Sequence, residues 1–217
     1  MSWIEPAVGR SALFQQGIGI FFVSYILGCV STGYYLVRLL KGHDIRETGS
    51  GNIGARNVGR ELGRGGFVFT LLIDAAKGAL AVWIAKQFSA DARLQIVAML
   101  AVVIGHNWPA QLHFRGGKGI STSIGALLVF DYHLLGFLAA AAILLVICLR
   151  RKTLGGLSAY AALPLVDWLW TKDSMRAFYL CLLALMILWA HRKNIADEIS
   201  KFHWRHSEQP KPDDIKL

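Results

Sequence analysis

Charged residues are scarce in this sequence. Asp, Glu, Lys and Arg together make up 17% of its 217 residues, whereas soluble domains carry about 25%. Hydrophobic residues make up 54%, and the mean hydropathy is +0.44. A soluble globule of this composition would lack the polar surface to cover itself, and a disordered chain needs low hydrophobicity and high charge. The composition therefore predicts an integral membrane protein.

Cysteines and the common catalytic motifs are also few. The three cysteines, Cys29, Cys148 and Cys181, lie in apolar runs, and no two of them have the spacing of metal ligands. This excludes a disulfide framework and a zinc site. The sequence has no G-x-S-x-G elbow, no Cys–His pair and no acidic metal cluster. We therefore expect chemistry without a metal or cofactor, in which the protein positions substrates and stabilises charge.

Seven apolar segments are candidates for transmembrane helices. The first has 21 residues without a formal charge, which at about 1.5 Å per residue covers a hydrocarbon core of about 30 Å. The fourth has 11 residues and reaches about half of that thickness. The pattern predicts an all-α bundle of seven transmembrane helices, with a single transmembrane domain over residues 1–200 and a polar cytoplasmic tail over 201–217. The segments are 17–37, 67–85, 94–108, 120–130, 134–149, 154–170 and 177–190.

The basic residues are distributed unevenly between the two ends of these segments. The net charge is +9, and 17 of the 23 Lys and Arg residues fall on one side. Cytoplasmic loops carry such an excess, so we expect the N-terminus outside and the basic loops and the C-terminus in the cytoplasm. The same excess explains the net charge without a nucleic-acid partner. The 17 residues are Arg38, Lys41, Arg46, Arg56, Arg60, Arg64, Arg115, Lys118, Arg150, Arg151, Lys152, Arg192, Lys193, Lys201, Arg205, Lys211 and Lys216.

The first loop on the basic side, residues 42–66, is rich in glycine. Eight of its 25 residues are glycine, which permits positive φ and allows backbone N–H groups to converge on an anion. Short polar side chains and arginines add donors and fixed positive charge. This composition is typical of a phosphate-binding loop, although a flexible loop with ordinary cytoplasmic charge is an open alternative. The candidate residues are Arg46, Gly49, Ser50, Gly51, Asn52, Gly54, Asn57 and Arg60.

A second glycine-rich segment, residues 105–123, lies on the same side. Gly116, Gly117, Lys118 and Gly119 precede a run of hydroxyl residues at the start of a predicted helix. A helix N-terminus and a lysine both favour a bound anion, so we interpret this segment as a second anion cradle. Two cradles on one membrane face indicate two phosphorylated substrates, or one substrate with two anionic groups. His106 is either a base or an interfacial histidine that caps the segment.

Other charged groups have simpler interpretations. Asp74 and Lys77, three residues apart inside the second apolar segment, share one helix face, and embedded charges are usually paired. We expect a structural ion pair or a tether for the loops rather than a catalytic pair. The cluster of Arg150, Arg151 and Lys152 is interpreted as a charge anchor at the end of a span.

These motifs resemble those of the bacterial acyl-phosphate:glycerol-3-phosphate acyltransferases. The family pattern K-G-x-D-[IL]-R…G-S-G-N-x-G-A-T-N corresponds to KGHDIRETGSGNIGARN at residues 41–57. D-x-x-K-G corresponds to residues 74–78, G-H-x-x-P…F-[KR]-G-G-K-G to residues 105–119, and H-R-x-N-I to residues 191–195. The resemblance extends from about Tyr25 to Asn194.

The resemblance implies a seven-helix enzyme of the bacterial inner membrane. Such an enzyme transfers a fatty acyl group from acyl phosphate to the 1-hydroxyl of glycerol 3-phosphate, which gives lysophosphatidic acid for phospholipid synthesis. Its expected partners are these two substrates and the lipid bilayer. The resemblance assigns the active site to Ser50, Arg60, Lys118, Thr153, His191 and Asn194, with His191 or a substrate phosphate as the base.

Several positions depart from the family pattern. Arg56 replaces the threonine of G-A-T-N, Thr153 replaces a serine, and the turn at residues 28–31 has lost its serine position. Lys201 and His203 stand where a glycine and a glutamate are expected. These departures leave open another acceptor, another donor or a member without activity.

Two other functions are alternatives. An acyl-CoA-dependent acyltransferase would carry a His-x-x-x-x-Asp pair, and none of the seven histidines has Asp five positions later. A transport or binding protein for phosphorylated anions would need charges along a path through the bilayer, and Asp74 and Lys77 are the one embedded pair.

The charge distribution predicts the topology. In a cysteine-free background, single cysteines placed in the loops around Gly51 and Gly117 should not react with an impermeant thiol reagent in intact cells, because both loops face the cytoplasm. The measurement is labelling before and after permeabilisation. Efficient labelling of both loops in intact cells would reverse the predicted orientation.

Overall fold

The computed structural model describes the backbone of residues 5–207 and the side chains of residues 13–200. This part of the chain consists of helices and connecting loops and contains no strand. Two 3₁₀ turns, Ile45–Glu47 and Ala110–Leu112, lie in the two glycine-rich segments. The helices are α1 (Glu5–Gly28), α2 (Thr32–Lys41), α3 (Ala55–Phe88), α4 (Ala92–Asn107), α5 (Ile120–Phe130), α6 (Tyr132–Leu149), α7 (Lys152–Thr171), α8 (Ser174–Ala190) and α9 (Arg192–Ser207).

Six of the seven apolar segments each coincide with one helix, and the first is divided between α1 and α2. Three stretches are long and apolar enough to cross a membrane unaided: Leu13–Lys41, Ala55–Phe88 and Tyr132–Leu149. A fourth is the pair formed by α8 and the start of α9, which are bent by 59°. The count of seven spans therefore stays a prediction. So does the division at residue 200, across which α9 continues to Ser207.

The first predicted span, 17–37, is not one continuous helix. α1 ends at Gly28 and α2 begins at Thr32. The carbonyl groups released by this break find donors elsewhere: Lys77 Nζ donates to Val30 O at 2.6 Å, and Ser31 Oγ donates to Cys29 O at 3.1 Å. Hydropathy did not indicate this break, because it does not report hydrogen-bond donors such as Lys77 that come from another helix.

The predicted glycine-rich loop 42–66 is also shorter than expected. Helix α3 begins at Ala55, so the second half of this segment is helical, with a kink at Gly63, where φ is +72°. A residue other than glycine would strain this backbone. Because of this kink, the first turns of α3, which carry the arginines, differ in direction from the rest of the helix.

Small residues bring the helices close together around the loops. Gly78 of α3 lies against the carbonyl group of Thr122, and Gly125 of α5 lies against the carbonyl group of Ala75, so a Cβ at either position would overlap backbone. Interfaces between membrane helices commonly use such contacts. Helices α4, α5, α7 and α8 bury the main apolar core beside this interface, and the packing places the starts of α3, α5 and α7 at one end of the bundle.

The opposite end is held by a charged cluster. Arg176 at the start of α8 donates from Nε to Asp167 at 2.7 Å and from Nη2 to Asp131 at 2.5 Å. Its guanidinium also lies 4.7 Å from the centre of the Phe130 ring. Asp167 is 1% exposed, so its carboxylate depends on this arginine. The cluster connects α7 and α8 to the turn between α5 and α6.

We expect Arg176→Ala to destabilise the protein by about 3–5 kcal/mol, because a buried carboxylate would lose its partner. Thermal unfolding in detergent measures the effect. Arg93→Ala is the control, because Arg93 is exposed and forms no ion pair among the described residues. Equal melting temperatures for the two variants would contradict a stabilising role.

Candidate active site

A cavity of about 480 Å³ opens between the helix ends that carry the glycine-rich segments. All six residues predicted to be catalytic line it, although they come from four separate parts of the chain. The structure therefore brings together what the sequence separates by up to 144 positions. The six are Ser50, Arg60, Lys118, Thr153, His191 and Asn194.

The cavity has two chemically different parts. Its mouth is lined by the polar and basic residues of the loops, and its other arm by apolar side chains of α3, α5, α6 and α7. The hydroxyl group of Tyr160, in the apolar arm, is hydrogen-bonded to Ser123 Oγ at 2.7 Å. Such a cavity fits an amphiphile with an anionic head and a hydrocarbon tail. The apolar arm comprises Phe67, Leu71, Ile124, Leu135, Leu138, Ala139, Ala142, Leu157 and Tyr160.

Lys118 occupies the mouth of the cavity. Its ammonium group donates to Asn194 Oδ1 at the start of α9. Burial lowers the pKa of Lys118, and the charges of Arg56 and Lys193 lower it further, while the carboxylate of Asp197 opposes them. An ammonium group among like charges is ready to bind an anion, since a bound phosphate would relieve the repulsion.

His191 follows the last turn of α8 and lines the same mouth. Its Nδ1–H donates to the carbonyl group of Ile187 at 2.8 Å, which leaves Nε2 as an acceptor in the neutral ring. Burial lowers the pKa of His191; the Ile187 carbonyl opposes this shift, and the charges of Lys118 and Arg56 reinforce it. His191 is therefore neutral at pH 7 and can accept a proton.

The first loop is organised by a buried amide. Asn57 is 1% exposed; its Nδ2 donates to the carbonyl groups of Ile45 and Thr48, and its Oδ1 accepts from the Ser50 N–H at 2.9 Å. Gly49 has φ +56°, and a Cβ there would overlap Asn57. Asn57 was predicted to bind phosphate, but its amide is used within the loop, where it positions Ser50.

Four of the glycines predicted to bind phosphate use their N–H groups within the protein. The N–H of Gly51 donates to Thr48 O, and that of Gly54 donates to Asn52 Oδ1. In the second segment, the Gly116 and Gly117 N–H groups donate to the carbonyl groups of Asn107 and His106. These donors are occupied by the protein itself. Of the predicted glycines, Gly54 and Gly119 line the cavity, as does Asn52, while Gly49, Gly51, Gly116 and Gly117 shape the loops behind it.

Arg46 was also predicted to bind phosphate, and the structure places it elsewhere. Its guanidinium pairs with Asp44 at 2.6 Å and donates to Leu112 O at 2.9 Å. The side-chain hydrogen bond from Arg46 lowers the pKa of Asp44. Arg46 is not among the residues that line the cavity, and it instead connects the first glycine-rich segment to the second.

Sequence reasoning missed some residues of the cavity wall. Lys152, interpreted as part of a membrane anchor, lines the mouth beside Thr153, and Arg56 lines it on the first turn of α3. Asp74 and His106 also reach the wall. The adjacency of Lys152 to Thr153 was the signal available for it. The side chains of Lys201 and His203 lie outside the described residues.

Comparison with known proteins identifies the family. Residues 18–201 match the family described as glycerol-3-phosphate acyltransferase. The chain belongs to this family. "Glycerol-3-phosphate acyltransferase 1" of Desulfitobacterium hafniense is 44% identical over 179 residues, which cover 82% of this chain and 88% of the relative. "Glycerol-3-phosphate acyltransferase" of Gloeobacter violaceus is 39% identical over 182 residues, 82% of this chain and 89% of the relative.

Two crystal structures of PlsY (YgiH), described as an integral membrane glycerol 3-phosphate acyltransferase, have the same fold. The glycerol 3-phosphate form has a TM-score of 0.77 and 28% identity, and it covers 85% of this chain and 92% of that chain. The lysophosphatidic acid form has a TM-score of 0.74 and 26% identity, with the same coverage. The predicted family and the prediction of a multi-pass membrane protein are confirmed.

Lys118→Ala should reduce the rate about 30- to 1000-fold, the consequence of losing ~2–4 kcal/mol of charge-assisted stabilisation in the transition state. The variant should still insert and fold, because the side chain lies at the edge of the bundle. The assay compares initial rates at equal amounts of folded protein.

The matched control for Lys118→Ala is Arg64→Ala. Arg64 is exposed on the same basic side and is not part of the cavity wall. Lys152, a basic residue of the wall, is unsuitable as a control. If Lys118→Ala were as active as Arg64→Ala, Lys118 would be an ordinary surface charge.

Proposed function

We propose that this protein transfers a fatty acyl group from acyl phosphate to the 1-hydroxyl of sn-glycerol 3-phosphate and releases lysophosphatidic acid and phosphate. The observation that carries the proposal is the cavity of a chain in this family, with a cationic mouth and an apolar arm. The apolar arm suits a fatty acyl tail, and the mouth suits the phosphate groups of the donor and the acceptor. The names of the relatives support glycerol 3-phosphate as the acceptor.

The reaction needs no nucleophile from the protein, because the mixed anhydride is already activated. The acceptor oxygen attacks the acyl carbonyl carbon, the bond to the phosphate oxygen breaks, and its electron pair leaves with the phosphate. The protein aligns the two substrates and stabilises the developing negative charge. We assign Lys118 and Arg60 to supply the positive charge that balances it, and Ser50, Thr153 and Asn194 to orient the substrates.

The acceptor's proton needs a base. Nε2 of His191 is a free acceptor on the cavity wall, and it can take the hydroxyl proton and pass it to the departing phosphate. A substrate phosphate is the other candidate base. The pH dependence of the rate of His191→Gln distinguishes these two candidate bases.

We further propose that seven helices cross the bacterial inner membrane, with the N-terminus outside and the C-terminus and active site on the cytoplasmic side. The support is the basic excess at the end of the bundle where the cavity opens. The bent pair of α8 and α9 would then turn from the membrane towards its surface. An apolar donor would enter the cavity from the bilayer and a polar acceptor from the cytoplasm.

The decisive experiment uses purified protein with acyl phosphate and glycerol 3-phosphate, and it detects lysophosphatidic acid by mass spectrometry. Product from acyl phosphate, and none from acyl-CoA, supports the proposal. Product from acyl-CoA alone would contradict the proposed donor. If neither donor gave product but reconstituted protein carried glycerol 3-phosphate into vesicles, the protein would be a transporter and the proposal wrong.

The wild-type rate should stay constant as the pH falls to about 6.5, the ordinary pKa of histidine, and decline only below it. The reason is that the base must be neutral and the pKa of His191 is lowered. His191→Gln should be slower and should lose this acidic decline. His113→Asn, at an exposed position outside the cavity, should keep the wild-type profile. An unchanged profile in His191→Gln would assign the proton to a substrate phosphate.

A further inference from the structure

Arg56 is a cation of the cavity mouth to which the reaction above assigns no role. It is the second residue of α3, its side chain is exposed, and it lines the cavity. We propose that Arg56 is a phosphate-binding residue of this enzyme, and that Arg56 and Lys118 together bind one substrate phosphate. The proposal rests on the proposed function, which supplies the phosphorylated substrates.

The first argument is that Arg56 has no carboxylate partner within the described residues. Two arginines outside the cavity are paired: Arg46 with Asp44, and Arg176 with Asp131 and Asp167. Arg56 forms no such pair. A guanidinium in a cavity without a counter-charge from the protein is available to an anion from solution.

The second argument is the electrostatic effect of Arg56 on other groups of the cavity wall. The charge of Arg56 lowers the pKa of both Lys118 and His191, which line the same cavity. Asp197 of α9 offsets part of this charge at Lys118, whereas Lys193 of α9 adds to it. Like charges gathered in this way destabilise one another, and a bound dianion would reverse the sign of the interaction.

The third argument is the charge of the whole wall. Four basic side chains line the cavity, and the one carboxylate among its described lining residues is Asp74. That carboxylate is already paired with Lys77 at 2.9 Å. The cavity thus holds an excess of positive charge that a ligand must balance. The four are Arg56, Arg60, Lys118 and Lys152.

The fourth argument is the geometry of α3. Arg56 and Arg60 are four residues apart and share a helix face, and both line the cavity. Arg60 lies against the first loop, with Nη1 3.5 Å from Asn57 Oδ1, whereas no hydrogen bond to the side chain of Arg56 is found among the described residues. The guanidinium of Arg56 is therefore available to a substrate phosphate. An arginine can bind a phosphate through two parallel N–H groups, which the threonine of the family pattern cannot do.

The test is a kinetic comparison of Arg56→Thr, Arg56→Lys and the wild type with both substrates. Removal of a charge-assisted contact should raise KM about 10- to 100-fold for the substrate whose phosphate Arg56 binds. The affected substrate, glycerol 3-phosphate or acyl phosphate, identifies the phosphate. Arg56→Lys should show a smaller increase, because it keeps the charge but loses the paired donors. Arg64→Thr, at an exposed position of the same helix, is the matched control and should behave as wild type.

The pH profile provides a readout that a merely structural residue would not change. Without Arg56, the pKa of His191 should rise, since one of the charges that lower it is gone. The acidic decline in rate should therefore move to higher pH in Arg56→Thr. The remaining charges near His191 and Lys118, namely Lys193, Asp197, Arg60 and Lys152, are the same in all variants. Unchanged KM values for both substrates, or a fall in kcat alone, would overturn the proposal.

A binding measurement separates this proposal from the proposed function. Inorganic phosphate should raise the melting temperature of the wild type and of Arg64→Thr, and most of this increase should be lost in Arg56→Thr. This outcome supports the phosphate-binding role even if no acyl transfer were detected. Equal stabilisation of Arg56→Thr and the wild type would overturn it, whatever reaction the enzyme catalyses.

Discussion

The buried pair of Asp74 and Lys77 is the interaction on which the rest of the structure depends. Lys77 Nζ lies 2.9 Å from Asp74 Oδ1, donates to Val30 O at 2.6 Å and lies 2.9 Å from His106 Nδ1. Thr32 Oγ1 donates to the same carboxylate at 3.2 Å. In a bilayer, a broken helix is tolerated only where other groups satisfy its backbone. Lys77 donates to a carbonyl group that the break between α1 and α2 leaves free, and the pair thereby connects this break to α3 and α4.

The position of the second glycine-rich segment follows from that junction. His106, which contacts Lys77, accepts the Gly117 N–H at its carbonyl oxygen at 2.9 Å, and its ring leaves no room for a Cβ at Gly117. The residue next in the chain is Lys118. Glycine at position 117 therefore allows the backbone to pack closely against a buried histidine. Side-chain cations, rather than the glycine N–H groups, are available to bind an anion. A hydrogen bond to Asn194 also positions the Lys118 ammonium group, and a cation positioned before the substrates bind is the condition for electrostatic stabilisation.

The amphiphilic cavity explains why such a site lies at the end of a helix bundle. A fatty acyl phosphate has a tail that prefers hydrocarbon and a head that prefers water, and only the boundary of a membrane offers both. The cavity reproduces this boundary inside the protein, with Leu138 and Leu157 on one side and Arg60 and Lys118 on the other. Like charges gathered at the mouth raise the free energy of the empty site, and the phosphate groups of the substrates would lower it.

The sequence by itself determined the class of protein, the positions of its helices and the six residues that meet in the cavity. Hydrophobic runs and short motifs are local properties, so they can be read without coordinates. Only the tertiary structure decided that residues 29–31 interrupt the first span, that Arg46 turns away to Asp44, and that Lys152 and Arg56 line the site. Each of these depends on which donor and acceptor meet across helices far apart in the chain. No local pattern records such partners, because hydrogen bonds and ion pairs are fixed by the packing of the bundle.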